Sequence, residues 1–267
     1  YLDLRTGLAS GTVAINLVDA ELPVSALSCG FTPDGEITYT QVNVIIEALQ
    51  SKTEVCPEDL RAVYQSAFMS AGTGNDEIPF EEVISNQYQE KLTKYNEGFL
   101  INGSAGGTMT GLKGQITAAN GATVPAGAVA WTVANAVDQA LDLYDAIDES
   151  VKDRDDLIMV VSPANYRTLT RALVAQNLYH FDSVQSNDIL ILPGTNITVV
   201  KSSGLVGSDY VFAGPSKMII LATGLQDELD SFVWFYDQGA DVMKFRAAWR
   251  IGVGVGEPNL FSTNGLA

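Results

Sequence analysis

The chain has 267 residues, of which 46% are hydrophobic and 18% are charged, so one large domain or two interleaved domains with a substantial core are expected. Its 15 basic and 32 acidic residues give a net charge of −17. This charge argues against sequence-specific nucleic-acid binding, which needs clustered Lys and Arg. It is compatible with a protein that encloses DNA without binding it tightly.

The N-terminal segment up to residue 36 is rich in Gly, Pro, Ser and Thr and shows no strong hydrophobic period. We expect an extended arm with short strands, interrupted at Pro23 and at the turn 33–35. Such an arm has no core of its own and should become ordered only against a neighbour. The next segment, 37–50, alternates apolar residues such as Val42 and Val44 with polar ones, which predicts a half-buried strand.

Two helices are expected next. Pro57 opens a short one, because proline is favoured in a first helical turn. From Pro79 to Gly103 the sequence reads PFEEVISNQYQEKLTKYNEGFLING, which predicts a long amphipathic helix that ends in an Asn-Gly turn. Its roughly 20 helical residues would span about 30 Å, so we interpret the helix as a strut. The apolar residues that form its single stripe are Phe80, Val83, Ile84, Tyr88, Leu92, Tyr95 and Phe99.

A glycine-rich joint at 103–114 separates the long helix from a segment in which helices and strands alternate. A second amphipathic helix is predicted at 131–151, and the apolar run 157–161 predicts a buried strand. Ser162 and Pro163 then supply the N-cap and the first position of another helix. Short strands are predicted at 188–192, 196–200, 210–213 and 217–222.

Two strands dominate the C-terminal part, an aromatic one at 232–236 and an unusually long one at 242–255. In the long strand, the odd-numbered apolar residues fall on one face. The other face carries Lys244, Arg246 and Arg250, which could meet acidic residues of a neighbouring copy, face DNA or be solvated. The whole pattern predicts an α+β protein with one α/β-like centre.

No catalytic, cofactor-binding or metal-binding site is expected. His180 is the single histidine, so a Ser-His-Asp or Cys-His arrangement would have to use it, and no G-x-S-x-G elbow is present. No GxxxxGK[ST] phosphate loop exists either, and the GVGVG run within the long closing strand indicates close main-chain approach and no dinucleotide site. The acidic residues Asp153, Asp155 and Asp156 lack the downstream Gly and Glu of a calcium loop. The sequence therefore gives no support to an enzyme.

Signals for export and membrane insertion are also missing from the sequence. The first residues, YLDLRTGLAS, lack the basic and apolar regions of a signal peptide. The sequence contains no run of about 18 apolar residues, which is the length needed to span a bilayer. Cys29 and Cys56 form no CxxC pair, so free thiols in an intracellular assembly compartment are expected.

Three stretches of the sequence occur in an order that is familiar from one family. The first is the strand at 37–50 with the long helix ending in FLING and the segment Thr110-Gly111-Leu112. The second is LIMVVSPANYRTLTRAL, and the third is DQGADVMKFRAAWRIGVGVGEPNLF, a closing strand with FRA and a glycine-rich end. In this order they resemble the major capsid proteins of tailed double-stranded DNA bacteriophages, which have the HK97 fold.

The resemblance implies an N-terminal arm and E-loop at 1–50 that reach across neighbours. It implies a peripheral domain at 51–103 with its spine helix at about 79–101, and an axial α/β domain at 104–230. Residues 231–267 would supply the return strands of the peripheral domain and the C-terminus. Copies would form pentamers and hexamers that close into an icosahedral virion capsid around packaged double-stranded DNA, assembled in the host cytoplasm.

The implied partners are other copies of the chain, virion proteins such as a portal, scaffold or cement protein, and non-specifically enclosed DNA, with no membrane. Family members often lose an N-terminal segment to a maturation protease; a chain that starts at Tyr1 fits this, and a trimmed sequence fits equally. No lysine lies between Arg5 and Lys52, so an E-loop isopeptide cross-link is not expected. The candidate assembly residues are Tyr88, Leu92, Tyr95, Phe99, Lys244, Arg246 and Arg250.

Two other functions stay open at this point. An encapsulin, a bacterial nanocompartment shell protein, has the same fold and a similar length and holds cargo enzymes in place of a genome. An α/β hydrolase-type enzyme would belong to a different class. A monomer at all concentrations would speak against either kind of shell protein.

Overall fold

The computed structural model describes residues 2–8, 10–20, 36–56, 80–176, 190–224, 232–240 and 242–266. These residues form two β-sheets with helices packed on them, which confirms the predicted α+β class. The helices are α1 (Phe80–Asn102), α2 (Leu112–Gln115), α3 (Ala136–Asp145) and α4 (Pro163–Ala175). The strands are β1 (Asp3–Arg5), β2 (Gly11–Ala20), β3 (Ile37–Val55), β4 (Leu157–Val161), β5 (Leu190–Ile191), β6 (Thr198–Lys201), β7 (Phe212–Pro215), β8 (Ile219–Thr223), β9 (Phe232–Asp237), β10 (Val242–Val255) and β11 (Ser262–Thr263).

The larger sheet has six strands in the order β1-β8-β10-β3-β2, with β9 paired to β10 outside this path. β10 is its centre, because β3, β8 and β9 all pair with it antiparallel. The odd-numbered apolar residues of β10 from Phe245 onward are buried, among them Trp249, and they belong to one continuous core with the smaller sheet, whereas Met243 is half-buried. The strand predicted at 242–255 and the alternation of its faces are therefore confirmed.

The smaller sheet has the order β11-β7-β4-β6-β5 and carries α3 and α4. α4 begins where the sequence predicts it, because Oγ of Ser162 accepts a hydrogen bond from the amide of Asn165 at 3.2 Å and Pro163 occupies the first turn. α3 packs on β7 and β11, α4 packs on β6, and the two helices contact each other. The four strands predicted between 188 and 222 overlap β5, β6, β7 and β8.

Two expectations need correction. The N-terminal segment pairs within its own chain, β1 parallel to β8 and β2 antiparallel to β3, so these strands do not depend on a neighbour for their main-chain pairing. The helix predicted at 131–151 is limited to α3, because polar side chains at both ends take up nearby main-chain amides. Oδ1 of Asn135 accepts from the amide of Thr132 at 2.6 Å, and the Asp148 carboxylate accepts from the amide of Ser150 at 2.9 Å and opens a separate 3-10 turn.

Several sequence predictions lie outside the described residues: the short helix from Pro57, His180 and Cys29. Cys56 is half-buried and carries a free thiol. Within the described part of the chain, no group of three His, Cys, Asp or Glu side chains is placed to hold a metal ion. No helix in that part is both long enough and apolar enough to cross a membrane.

Candidate assembly surfaces

α1 lies across one face of the larger sheet and leaves a groove of about 420 Å³ open beside it. Tyr88 fastens the helix to the sheet: its ring centroid lies 4.3 Å from that of Phe245, and its hydroxyl is hydrogen-bonded to the hydroxyl of Thr53. Further along, the indole N–H of Trp249 donates to Oδ1 of Asn96 at 3.0 Å. The predicted strut is thus held to the central strands by both apolar and polar contacts.

The four candidate assembly residues of α1 differ in their exposure. Tyr88 and Leu92 are half-buried in the wall of the groove, and Phe99 is buried in the core of the chain. Tyr95 also lines the groove but is 55% exposed, with its ring stacked 6.1 Å from that of Phe99. Among these four residues, Tyr95 is therefore the most available to another molecule. The side chains of Phe80, Val83 and Ile84 lie outside the described residues.

The opposite face of the larger sheet carries the predicted basic residues of β10, and we call it the basic face (Lys52, Lys244, Arg246 and Arg250). Lys244 pairs with Asp237, and the hydrogen bond to that carboxylate raises the pKa of Lys244. Arg246 lies directly opposite Lys52 of β3, and both are exposed. Like charges opposite each other across two strands cost stability, so an anionic group on this face would relieve a repulsion already present in the chain.

A two-stranded ribbon extends from the larger sheet. Residues 37–45 of β3 pair with β2 and not with β10, whereas residues 46–55 pair with β10. At about 3.3 Å per residue, the ribbon is about 30 Å long. Val18 and Tyr39 lie opposite each other near its end and are 61% and 71% exposed. A two-stranded ribbon is marginally stable in water when nothing covers it, so this surface is suited to burial against another molecule.

Two glutamates join distant parts of the chain, and the first is Glu47 of β3. Its Oε1 accepts hydrogen bonds from the amides of Thr108 and Met109, at 2.6 and 2.8 Å. Burial by itself would raise the pKa of Glu47, but the hydrogen bonds from Met109, Ser104 and Thr108 hold it below its ordinary value of 4.5. The carboxylate thus fixes the glycine-rich joint against the larger sheet.

Replacing Glu47 with glutamine should lower the free energy of unfolding by about 1 kcal/mol at pH 7, because the amide cannot supply charge-assisted hydrogen bonds and the site is only half-buried. The folded-state pKa lies below the unfolded value, so this stabilisation is present above about pH 4.5 and is lost as the pH falls through the folded-state pKa. Urea denaturation should therefore separate the wild type from Glu47→Gln at pH 7 and bring them together near pH 3. The control is Glu54→Gln, which changes an exposed carboxylate of the same strand that lies opposite Lys244 and should shift the stability by no more than a few tenths of a kcal/mol, as is usual for an exposed charge pair. An equal difference at both pH values would contradict the assignment.

The second glutamate, Glu97, joins α1 to the loop that follows β6. Its Oε1 accepts from the Ser202 hydroxyl at 2.7 Å and from the Ser203 amide at 2.9 Å, and its Oε2 accepts from the Ser203 hydroxyl. Close by, Nδ2 of Asn102 donates to the carbonyl of Gly204 at 2.9 Å. The C-terminal end of the strut is therefore tied to the smaller sheet.

The Asn-Gly turn after α1 is closed by two glycines in contact. Gly103 has a φ of +83°, which ends the helix in the left-handed conformation that glycine favours. A Cβ on Gly103 would lie 2.6 Å from the amide nitrogen of Gly111, and the two segments are joined by a bridge between Gly103 and Thr110. The FLING and Thr-Gly-Leu segments of the sequence thus form one compact turn.

Neither glutamate is among the residues that the sequence patterns single out. Glu97 lies 106 residues from Ser203 and Glu47 lies 62 residues from Met109, and no local pattern can identify a contact over such a separation. One signal exists for Glu47, because it interrupts an apolar series on one face of the strand, between Ile45 and Leu49. An acidic residue at such a position needs hydrogen-bond donors.

No protein-family model and no curated protein matches the sequence. Solved structures do match it over nearly its full length. The capsid of a native GTA particle, computed with C5 symmetry, is 13% identical with a TM-score of 0.59, and the match covers 98% of this chain and 86% of that one. A chain of Gordonia phage Cozz is 12% identical with a TM-score of 0.60 and coverages of 98% and 83%. The capsid of Myoviridae phage XM1 is 12% identical with a TM-score of 0.55 and coverages of 95% and 85%.

At such low identity these matches establish the fold. The chain has the fold of phage capsid proteins, and the resemblance inferred from its three sequence stretches is confirmed at that level.

Proposed function

We propose that the chain is a major capsid protein whose copies assemble into pentamers and hexamers and close into an icosahedral shell around packaged double-stranded DNA. The observation that carries this proposal is the fold match to phage capsid chains over 95–98% of this chain. The proposed role is structural and not enzymatic. The proposed location is the virion capsid, after assembly in the host cytoplasm.

In this proposal the parts of the chain have different tasks. Residues 1–50 form the N-terminal arm and E-loop, 51–103 the peripheral domain with α1 as its spine helix, 104–230 the axial domain, and 231–267 the return strands and C-terminus. The chain crosses between the two sheets more than once, since β8 pairs in the larger sheet and β11 in the smaller one. Such exchange would make each subunit rigid enough to transmit force between neighbours.

The ribbon of β2 and β3 is the proposed E-loop. It projects beyond the part of β3 that β10 covers, and its exposed Val18 and Tyr39 would be buried against a neighbouring subunit. The groove beside α1 and the basic face are further proposed contacts, the first for apolar groups and the second for acidic groups of a neighbour. Burial and charge pairing would then stabilise the shell without an isopeptide cross-link.

The proposed partners outside the shell are a portal, a scaffold or a cement protein and the enclosed DNA. The net charge of −17 would keep DNA away from the wall, because like charges repel over about a Debye length. Packing of the genome therefore needs no specific nucleic-acid site on this chain.

Particle formation tests the function directly. Purified protein should form capsomers or shells in size-exclusion chromatography and negative-stain electron microscopy, and particles from infected cells should contain DNA that a nuclease cannot reach. A monomer at every concentration would overturn the proposal. Shells that enclose protein cargo and no DNA would replace the phage assignment by an encapsulin.

Removing the apolar pair of the ribbon should weaken assembly. The double variant Val18→Ser/Tyr39→Ser is expected to fold normally, since both side chains are exposed, and to raise the protein concentration needed for assembly at least about tenfold. Light scattering over a concentration series measures this shift. Gln41→Ser is the control, because Gln41 lies on the same ribbon and its side-chain amide donates to Oδ1 of Asn16 across it, at 3.2 Å. Equal shifts for the two variants would contradict a role for the apolar pair.

A further inference from the structure

The two helices on the smaller sheet expose opposite charges. In α3, the buried side consists of Ala136, Val137, Ala140 and Leu143. The exposed side carries what we call the acidic row (Asp138, Asp142 and Asp145), whose members follow one another at steps of four and three residues. Residues at these steps are neighbours on a helix surface.

In α4, the exposed side carries what we call the arginine pair (Arg167 and Arg171), four residues apart. No acidic residue occurs anywhere in α4. Among the described residues, the exposed side of α4 therefore carries only positive side-chain charge, in a chain whose net charge is −17.

Neither row is neutralised within the described part of the chain. In that part, no ion pair joins α3 to α4, although the two helices are in contact. The acidic row accepts one weak side-chain hydrogen bond, from Gln139 to Asp142 at 3.4 Å. The nearby positive charge is that of Lys152, which interacts with Asp145. Lys152 is itself bound to Glu149. Like charges at steps of three or four residues destabilise a helix, so both helices carry a cost that a partner of opposite charge would remove.

The positions of the two rows suit a particular partner. α3 packs on β7 and β11 at one end of the smaller sheet, and α4 packs on β6 toward the other end. Two different, complementary patches on one subunit produce a head-to-tail contact, and such contacts close into rings when the rotation allows. A second copy of this chain therefore offers the charge that each row lacks.

We propose that the arginine pair of one subunit contacts the acidic row of the next subunit around a ring of copies. This contact would fix the head-to-tail orientation of neighbouring subunits. The inference rests on the proposed capsid function and adds to it the residues by which neighbouring axial domains recognise each other. Charge pairing of this kind mainly supplies specificity and excludes wrong contacts. The proposed contact also predicts that ring formation weakens at high salt, because the Debye screening length falls from about 10 Å at 0.1 M salt to about 3 Å at 1 M.

Charge reversal tests the contact. Arg167→Glu/Arg171→Glu and, separately, Asp138→Arg/Asp142→Arg should each raise the concentration needed for capsomer formation at low salt by about tenfold or more, because like charges then face each other. Circular dichroism should be unchanged, since all four side chains are exposed. The control Lys217→Glu reverses an exposed charge between β7 and β8 and should leave assembly as it is.

Restoration gives the sharper result. A chain with all four reversals should assemble like the wild type, because each row again meets its opposite. A mixture of the two reversed chains should also assemble, but only as alternating rings with an even number of subunits, which mass photometry can count. Normal assembly of either reversed chain, or failure of the four reversals together to restore it, would overturn the inference while the capsid function stands. A wild type that never assembles would overturn the capsid function and this inference with it.

Discussion

Replacing Gly252 with alanine is expected to lower the free energy of unfolding by about 3 kcal/mol, although only one methyl group is added. Gly252 lies in β10 opposite Ile46 of β3. A Cβ at this position would overlap the carbonyl oxygen of Ile45 and come within 3.0 Å of the Cα of Ile46. Both are main-chain atoms of a paired strand, so the clash can be relieved only by pulling apart the two central strands of the larger sheet.

Urea denaturation of the purified subunit measures this loss, and another glycine supplies a matched control. Gly98 lies within α1, and a Cβ there would meet no atom within 4 Å. Gly98→Ala should therefore raise the stability by about 0.5–1 kcal/mol, because alanine loses less chain entropy in a helix. If Gly252→Ala unfolded at the same urea concentration as the wild type, the close approach of β3 and β10 at Gly252 would be wrong.

The elements that the sequence predicts best are those with a long, regular hydrophobic period. The long helix α1, predicted at about 79–101, runs from Phe80 to Asn102, and the long strand β10 has the predicted bounds 242–255. In both elements the apolar residues recur with a regular period over many residues, so a single type of secondary structure accounts for the whole segment. The close main-chain approach that the GVGVG run indicates is confirmed at Gly252, because a glycine inside a strand leaves room for the neighbouring backbone.

The sequence is less informative where single side chains or distant pairings decide the structure. Asn135 and Asp148 shorten the helix predicted at 131–151 by binding main-chain amides, which a hydrophobic period does not register. The placement of β8 in the larger sheet and of β11 in the smaller sheet depends on pairing between residues that are far apart in the chain. The same is true of the contacts of Glu47 and Glu97. The candidate surfaces follow the same rule, since periodicity identifies the apolar stripe but cannot tell that Phe99 is buried while Tyr95 is exposed.

That difference in exposure makes Tyr95 the most informative position for testing the proposed shell. Tyr95→Asp is expected to leave the subunit folded, because the side chain is 55% exposed, and to abolish particle formation. An unpaired carboxylate buried in an apolar contact costs several kcal/mol, so assembly should require at least about a hundredfold higher concentration. Negative-stain microscopy and sedimentation measure the loss, while circular dichroism reports on the fold.

Two variants separate the effect of the contact from the effect of added charge. Tyr95→Phe keeps the aromatic ring and should assemble normally. Thr93→Asp adds the same charge to α1 at an exposed position two residues away. Residues two positions apart lie on nearly opposite sides of a helix, so this variant should assemble normally as well. If Tyr95→Asp gave shells of normal size and yield, the groove beside α1 would not lie in a subunit contact. If Thr93→Asp failed like Tyr95→Asp, the charge of the helix as a whole would govern assembly, and the apolar stripe would lose its assigned role.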